Sequence, residues 1–174
     1  MISWCVRQER GLRVAPVNRA LSLAYLRKAK GLLRMADAAL ESKNPYWIAT
    51  TSYYARYFAV LALLRRVGVK TEIQDCAISM FRFLARMGMA PRGLGVEILQ
   101  CKQFRFNTQC YALKDFDMKI AEGTVEASHR FISEVEGSLR KITAAQVREV
   151  RAELQRQIKR GEMFQRLQSL NRGE

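Results

Sequence analysis

Apolar residues between Asn44 and Gly68 follow no single stripe. Trp47, Ile48, Tyr53, Tyr54, Tyr57, Phe58, Val60, Leu61, Leu63 and Leu64 spread around the whole helical wheel. Such a segment is either the buried centre of a bundle or a membrane span. Asn44 and Pro45 suit its first turn, Arg65 and Arg66 its negative end, and Gly68 a left-handed exit. Trp47 to Leu64 is 18 residues, near the minimum for a span. Thr50, Thr51, Ser52 and Arg56 interrupt it, and a charge there is expensive in lipid. The pattern predicts a buried central helix, not a span.

Helices are expected on either side. Asn18 can cap a helix to about Ser42, with Leu21, Tyr25, Ala29, Leu32, Ala36 and Leu40 at three- and four-residue steps. Thr71 and Gln74 match a capping box opening a third helix on Ile73, Ala77, Met80, Leu84 and Met87. Gly88 and the G-x-G of Gly93 and Gly95 read as a turn, since no strand precedes them. A fourth helix covers about Val96 to Tyr111. A connector through Asp115 and Asp117 leads to a fifth, on Val125, Ile132, Val135 and Leu139. Thr143 and Gln146 form a second capping box before a last helix on Val147, Val150, Leu154, Ile158, Leu167 and Leu170, weakened at Gly161. No alternating run long enough for a strand occurs. The expected class is all-α.

Charge adds a second pattern. Met1 to Arg34 holds eight basic residues and one acid, and Arg140 to Glu174 nine and four, so +12 of the net +14 lies at the two ends. That distribution fits either a solvated surface or a footprint for an anionic partner, RNA or nucleotide first. The start has no signal-peptide core, and a cytoplasmic protein is expected. Cys5, Cys76, Cys101 and Cys110 form no C-x-x-C pair and are expected to be reduced, buried hydrophobes. With His129 the sole histidine, no zinc site of usual spacing fits, and neither metal nor cofactor is expected. His129 borders an apolar stripe, where a satisfied structural role is expected. Nothing else in the residue pattern identifies a reaction.

The block Ser52-Tyr53-Tyr54-Ala55-Arg56-Tyr57-Phe58-Ala59, then Ala62-Leu63-Leu64 and Val67-Gly68, resembles the HEPN family of prokaryotic helical domains. Tyr25-Leu26-Arg27-Lys28-Ala29 is similar to the family's Y-L-x-K-A. Glu72-Ile73 with Asp75-Cys76 resembles the E-I-H-D-C of archaeal-type members, and Phe131 sits near the family's A-x-x-F. The likeness spans about residues 18 to 140. It implies an up-and-down bundle that forms a homodimer, here with an extra long basic C-terminal helix. The corresponding divisions are a basic lead-in at 1–17, the bundle at 18–141 and a basic amphipathic helix at 142–174. It also implies a toxin–antitoxin setting beside a minimal nucleotidyltransferase. Active members cut RNA with an R-x(4–6)-H motif, the arginine steadying phosphate charge and the histidine moving the 2′-hydroxyl proton.

This chain departs from that motif. Glu122, Gly123 and Thr124 stand where His129 would need its arginine, and Gln74 stands where E-I-H-D-C has histidine. Counting forward from Arg105, the histidine positions hold Cys110, Tyr111 and Ala112. Cysteine and tyrosine are poor proton shuttles near pH 7. Two readings follow: a non-catalytic module binding nucleotide, RNA or a partner protein, or an RNase toxin with an altered site at Arg105 and Tyr111. Membrane-surface attachment through the basic tail is a third, weaker reading. Arg105, Gln109 and Arg56 are the candidate anion contacts, with Arg105 and Gln109 on one face and Tyr111 further round. Trp47, Tyr53, Tyr54, Tyr57 and Phe58 are expected in the core and the dimer face.

Overall fold

The central helix α3 (Pro45–Arg66) starts where the Asn44 side chain accepts from the Trp47 amide at 3.2 Å, with Pro45 in the first turn. It is buried on most sides, from Ile48 to Leu64. The computed structural model describes residues 1–110 and 117–172, with side-chain surroundings through residue 164. Six more helices occur among the described residues: α1 (Ile2–Arg7), α2 (Arg19–Glu41), α4 (Gln74–Arg86), α5 (Leu94–Cys110), α6 (Met118–Lys141) and α7 (Ala144–Arg172). The protein is all-α.

Polar contacts fix the directions of the bundle. The Asn18 amide donates to Arg65 O, and Ser22 Oγ to Ala62 O, so α2 runs antiparallel to α3. Gln109 meets Thr50 and Arg105 meets Tyr54, so α5 is also antiparallel to α3. Arg56 reaches Thr124 and Ser128, and Arg66 reaches Ile142, so α6 runs parallel to it. This is an up-and-down bundle. Tyr53, Phe81 and Phe131 are among its largest fully buried side chains, and Phe81 and Phe131 lie 5.7 Å apart. Each such burial contributes about 1.5–3 kcal/mol before ordering costs.

Several expectations need correction. A short ladder exists: β1 (Arg13–Val14) pairs antiparallel with β2 (Val69–Lys70), in the register Arg13 to Lys70 and Val14 to Val69. Two-residue strands are too short to leave a periodicity. Gly68, at φ +74°, turns the chain from α3 into β2, and a Cβ there would lie 2.7 Å from Ala15 O. The Thr71–Gln74 capping box does not form. Thr71 Oγ1 accepts from the Ile73 amide in a local turn, and α4 begins at Gln74 without a side-chain cap. The second box does form: the Thr143 amide donates to Gln146 Oε1 and the Gln146 amide to Thr143 Oγ1.

The reduced-cysteine expectation is also overturned. Cys5 and Cys76, both fully buried, are joined as a disulfide tying α1 to α4. Cys101 is free and buried, and Cys110 is free and exposed. Trp47 lies outside the core, 57 % exposed, on the outward side of a turn of α3 whose Ile48 and Ala49 are fully buried. Gly161 does not break α7. A Cβ there would press against Val6 and Arg7 at 3.2–3.3 Å, so the glycine lets α1 cross closely. Among the described residues no helix is long and apolar enough to cross a membrane.

Candidate functional site

Residues four apart on a helix share a face. Arg105 and Gln109 on α5 therefore meet Tyr54 and Thr50, also four apart, on the antiparallel α3. Arg105 Nη1 donates to the Tyr54 hydroxyl at 3.2 Å, and Gln109 Nε2 to Thr50 Oγ1 at 2.9 Å. The guanidinium lies 4.7 Å from the centroid of Tyr53 and 5.5 Å from that of Tyr54. Cation–π attraction holds it there and its delocalised charge needs little hydration. Arg105 Nε is buried and has no hydrogen-bond partner among the described residues. A buried donor of that kind is normally met by water or a ligand oxygen.

The first turn of α4 closes the other side of this seam. The Tyr53 hydroxyl donates to Gln74 Oε1 at 3.1 Å, and Lys102 Nζ is paired with Asp75 Oδ1. Burial pushes the Tyr53 phenol above its ordinary range, with the Arg105 charge opposing, and pushes Tyr57 up to about 12. Both phenols are neutral donors at pH 7. Reading the sequence alone missed Asp75 and Lys102, and it cast Gln74 as a helix cap. The signal for Gln74 was its place within the E-I-x-D-C block, where the capping assignment competed with it.

Other candidates fall elsewhere. Arg56 is only 3 % exposed and is spent inside the bundle, not presented to an anion. Its Nε donates to Ser128 Oγ at 2.9 Å, Nη2 to Thr124 O at 2.8 Å and Nη1 to Glu97 O at 3.3 Å. A buried guanidinium must be satisfied in this way, and here it binds α3 to α5 and α6. His129 Nε2 lies 2.7 Å from Asp37 Oδ1, joining α6 to α2, so the chain's one histidine is partnered. Burial raises the Cys101 thiol pKa, against the pull of Arg56 and Arg105, which leaves it protonated and inert. Tyr53 and Tyr57 are buried, and Tyr54 and Phe58 partly so. Tyr111, with Asp115, lies outside the described residues.

An all-helical bundle with a cationic, aromatic-lined seam between its central helix and α5 is thus the class of protein. The sequence model of the HEPN domain matches residues 22–138, more than half of the chain, and the chain belongs to the HEPN domain family. No curated protein matches it. Family membership supports a helical module related to nucleotide or RNA function.

Proposed function

We propose that this chain is a non-catalytic HEPN module that binds RNA or nucleotide phosphate at the Arg105 seam. The observation carrying this is the Arg105 guanidinium: clamped over Tyr53, bonded to Tyr54, and left with a buried, unpartnered Nε. A phosphate oxygen supplies the missing acceptor, and Gln109 offers a neutral neighbour for it. In support, the chain's one histidine, His129, pairs with Asp37 on α2.

The proposed setting is a cytoplasmic toxin–antitoxin-type pair with a minimal nucleotidyltransferase, acting as a homodimer. Trp47, Thr50 and Tyr54 lie at i, i+3 and i+7 on one face of α3, and Trp47 and Phe106 are 57 % and 47 % exposed. A dimer face through these aromatics places the two seams side by side. The bundle at 18–141 carries the seam, with 1–17 and 142–174 as basic flanks.

The test is Arg105→Ala, assayed for binding of single-stranded RNA and 5′-AMP and for RNA cleavage. The expected result is binding weakened by about tenfold or more, with no cleavage by either protein. Binding unchanged by the substitution refutes the seam as a ligand site. Robust wild-type cleavage abolished by Arg105→Ala establishes the RNase reading instead.

A further inference from the structure

At the other end of α3 a second hollow opens, of about 380 Å³, between the start of α2 and the ends of α3 and α6. Arg19, Arg66 and Arg140 line it, and Leu26 and Leu139 supply apolar wall. The acid in its lining is Glu136, which is already shared between Lys30 at 2.6 Å and Arg140 at 3.0 Å. Three arginines thus line the hollow against one carboxylate, itself paired with Arg140 and with Lys30. The Lys30 hydrogen bond, ahead of Arg140, holds the Glu136 pKa below its ordinary value, so it stays ionised near neutrality.

Helix-end electrostatics explain part of this cluster. Arg66 and Arg140 sit at negative C-terminal ends, and Arg66 Nη2 donates to Ile142 O at 2.8 Å. Arg19 has no such reason. It stands in the first turn of α2, the positive end of a helix dipole, in a turn with no acidic residue. Burial lowers the Arg66 pKa and the Arg19 charge adds to it, so the two guanidinium groups repel. A bound anion relieves both penalties. Two of the three arginines, Arg19 and Arg140, lie outside the residues 22–138 that the family pattern covers.

We infer that this hollow is a second, separate phosphate site, which takes a phosphate carried on a partly apolar molecule of the nucleoside monophosphate class. The phosphate sits among Arg19, Arg66 and Arg140, while the nucleoside lies along Leu26 and Leu139. The volume falls in the range of small-ligand pockets. Free nucleotide and an RNA terminus offer the same chemistry, and the probes below separate them.

Wild type, Arg19→Gln and Arg105→Ala are titrated calorimetrically at low salt with 5′-AMP, orthophosphate and a short single-stranded RNA. Arg19 is exposed and its side chain makes no hydrogen bond or ion pair with the described residues, so Arg19→Gln is expected to melt as wild type. Arg19→Gln is expected to weaken by about tenfold the 5′-AMP site that Arg105→Ala leaves intact, read in the variant that carries both substitutions. In Arg105→Ala this hollow still binds 5′-AMP, which separates the site from the seam. A response to Arg19→Gln with RNA and not with 5′-AMP assigns the phosphate to RNA. Orthophosphate binding as tightly as 5′-AMP overturns the nucleoside half of the inference. The whole inference fails if no probe saturates, or if Arg19→Gln binds every probe as wild type does.

Discussion

Arg105 rests on the face of Tyr53, its guanidinium carbon 4.7 Å from the ring centroid, while the Tyr53 hydroxyl turns away to Gln74 on α4. One aromatic ring thus links α5 to α4 through its face and its edge. The arrangement requires a neutral phenol, and burial supplies it. Tyr57, stacked on Tyr53 at a centroid distance of 6.0 Å, shares that environment.

Alkaline titration should reveal this pair. Both folded pKa values lie above the ordinary value of 10, with Tyr57 near 12. The native state therefore holds these protons more tightly than the unfolded chain does. Their contribution to stability is complete below pH 10 and is lost above it, for Tyr57 as the pH rises through about 12 and for Tyr53 higher still. Absorbance at the tyrosinate band should show two phenols lagging the rest, with helix loss by circular dichroism accompanying them. Tyr53→Phe should remove one lagging phenol and cost about 1 kcal/mol for the Gln74 hydrogen bond. If all tyrosines titrate together near 10 in the folded protein, Tyr53 is not buried as described.

Arg56 should behave as a structural residue and not as an anion contact. Replacing it with Met keeps most of the volume but removes three hydrogen bonds, to Ser128 Oγ and to the Thr124 and Glu97 carbonyls. A loss of about 2–4 kcal/mol is expected, lowering the melting temperature by about 5–15 °C. A melting curve unchanged by Arg56→Met would return Arg56 to the list of ligand contacts.

What was legible in the sequence was mostly what depends on near neighbours. Asn18 and Asn44 cap α2 and α3 because the amides they accept from lie three residues away. Thr143 and Gln146 cap α7 for the same reason. The four-residue step from Arg105 to Gln109 likewise put both on one face. Gln74 shows where such reading stops: its side chain had a local use as a cap, but Tyr53, 21 residues away, takes it instead. The Cys5–Cys76 pairing spans 71 residues and leaves no local pattern. Arg56 was visible as a charge in an apolar helix, yet only the packing of α5 and α6 shows that its partners are internal.

The disulfide predicts a thiol count that differs from four free cysteines. In native, non-reducing buffer one thiol, Cys110, should react quickly with Ellman's reagent. Unfolding without reductant should add Cys101, which burial now shields and keeps protonated. Reduction should release the last two, Cys5 and Cys76. Because the bridge closes a long loop, reducing it should cost about 2–4 kcal/mol, read as a lower melting temperature. Four thiols reacting without reductant would show that α1 is held to α4 by packing alone.

The basic helix α7 is the remaining test of the terminal charge. Val147, Val150 and Leu154 bury one side of it, and Arg151 donates to Ala15 O and Gly68 O beside the β ladder. Deleting the helix would open the core, so lost RNA binding after deletion would be ambiguous. Arg148, Arg156, Lys159 and Arg160 are exposed and can be neutralised in place. Replacing these four with Gln should leave the melting temperature within about 2 °C, since exposed charges contribute little to stability. If each meets a phosphate, the slope of log affinity against log salt should become shallower by about 3, from roughly 0.7 per contact for a single strand. RNA affinity at low salt should fall with it. A slope unchanged by all four substitutions would mean that the charge on α7 serves solvation, and that RNA is held elsewhere on the chain.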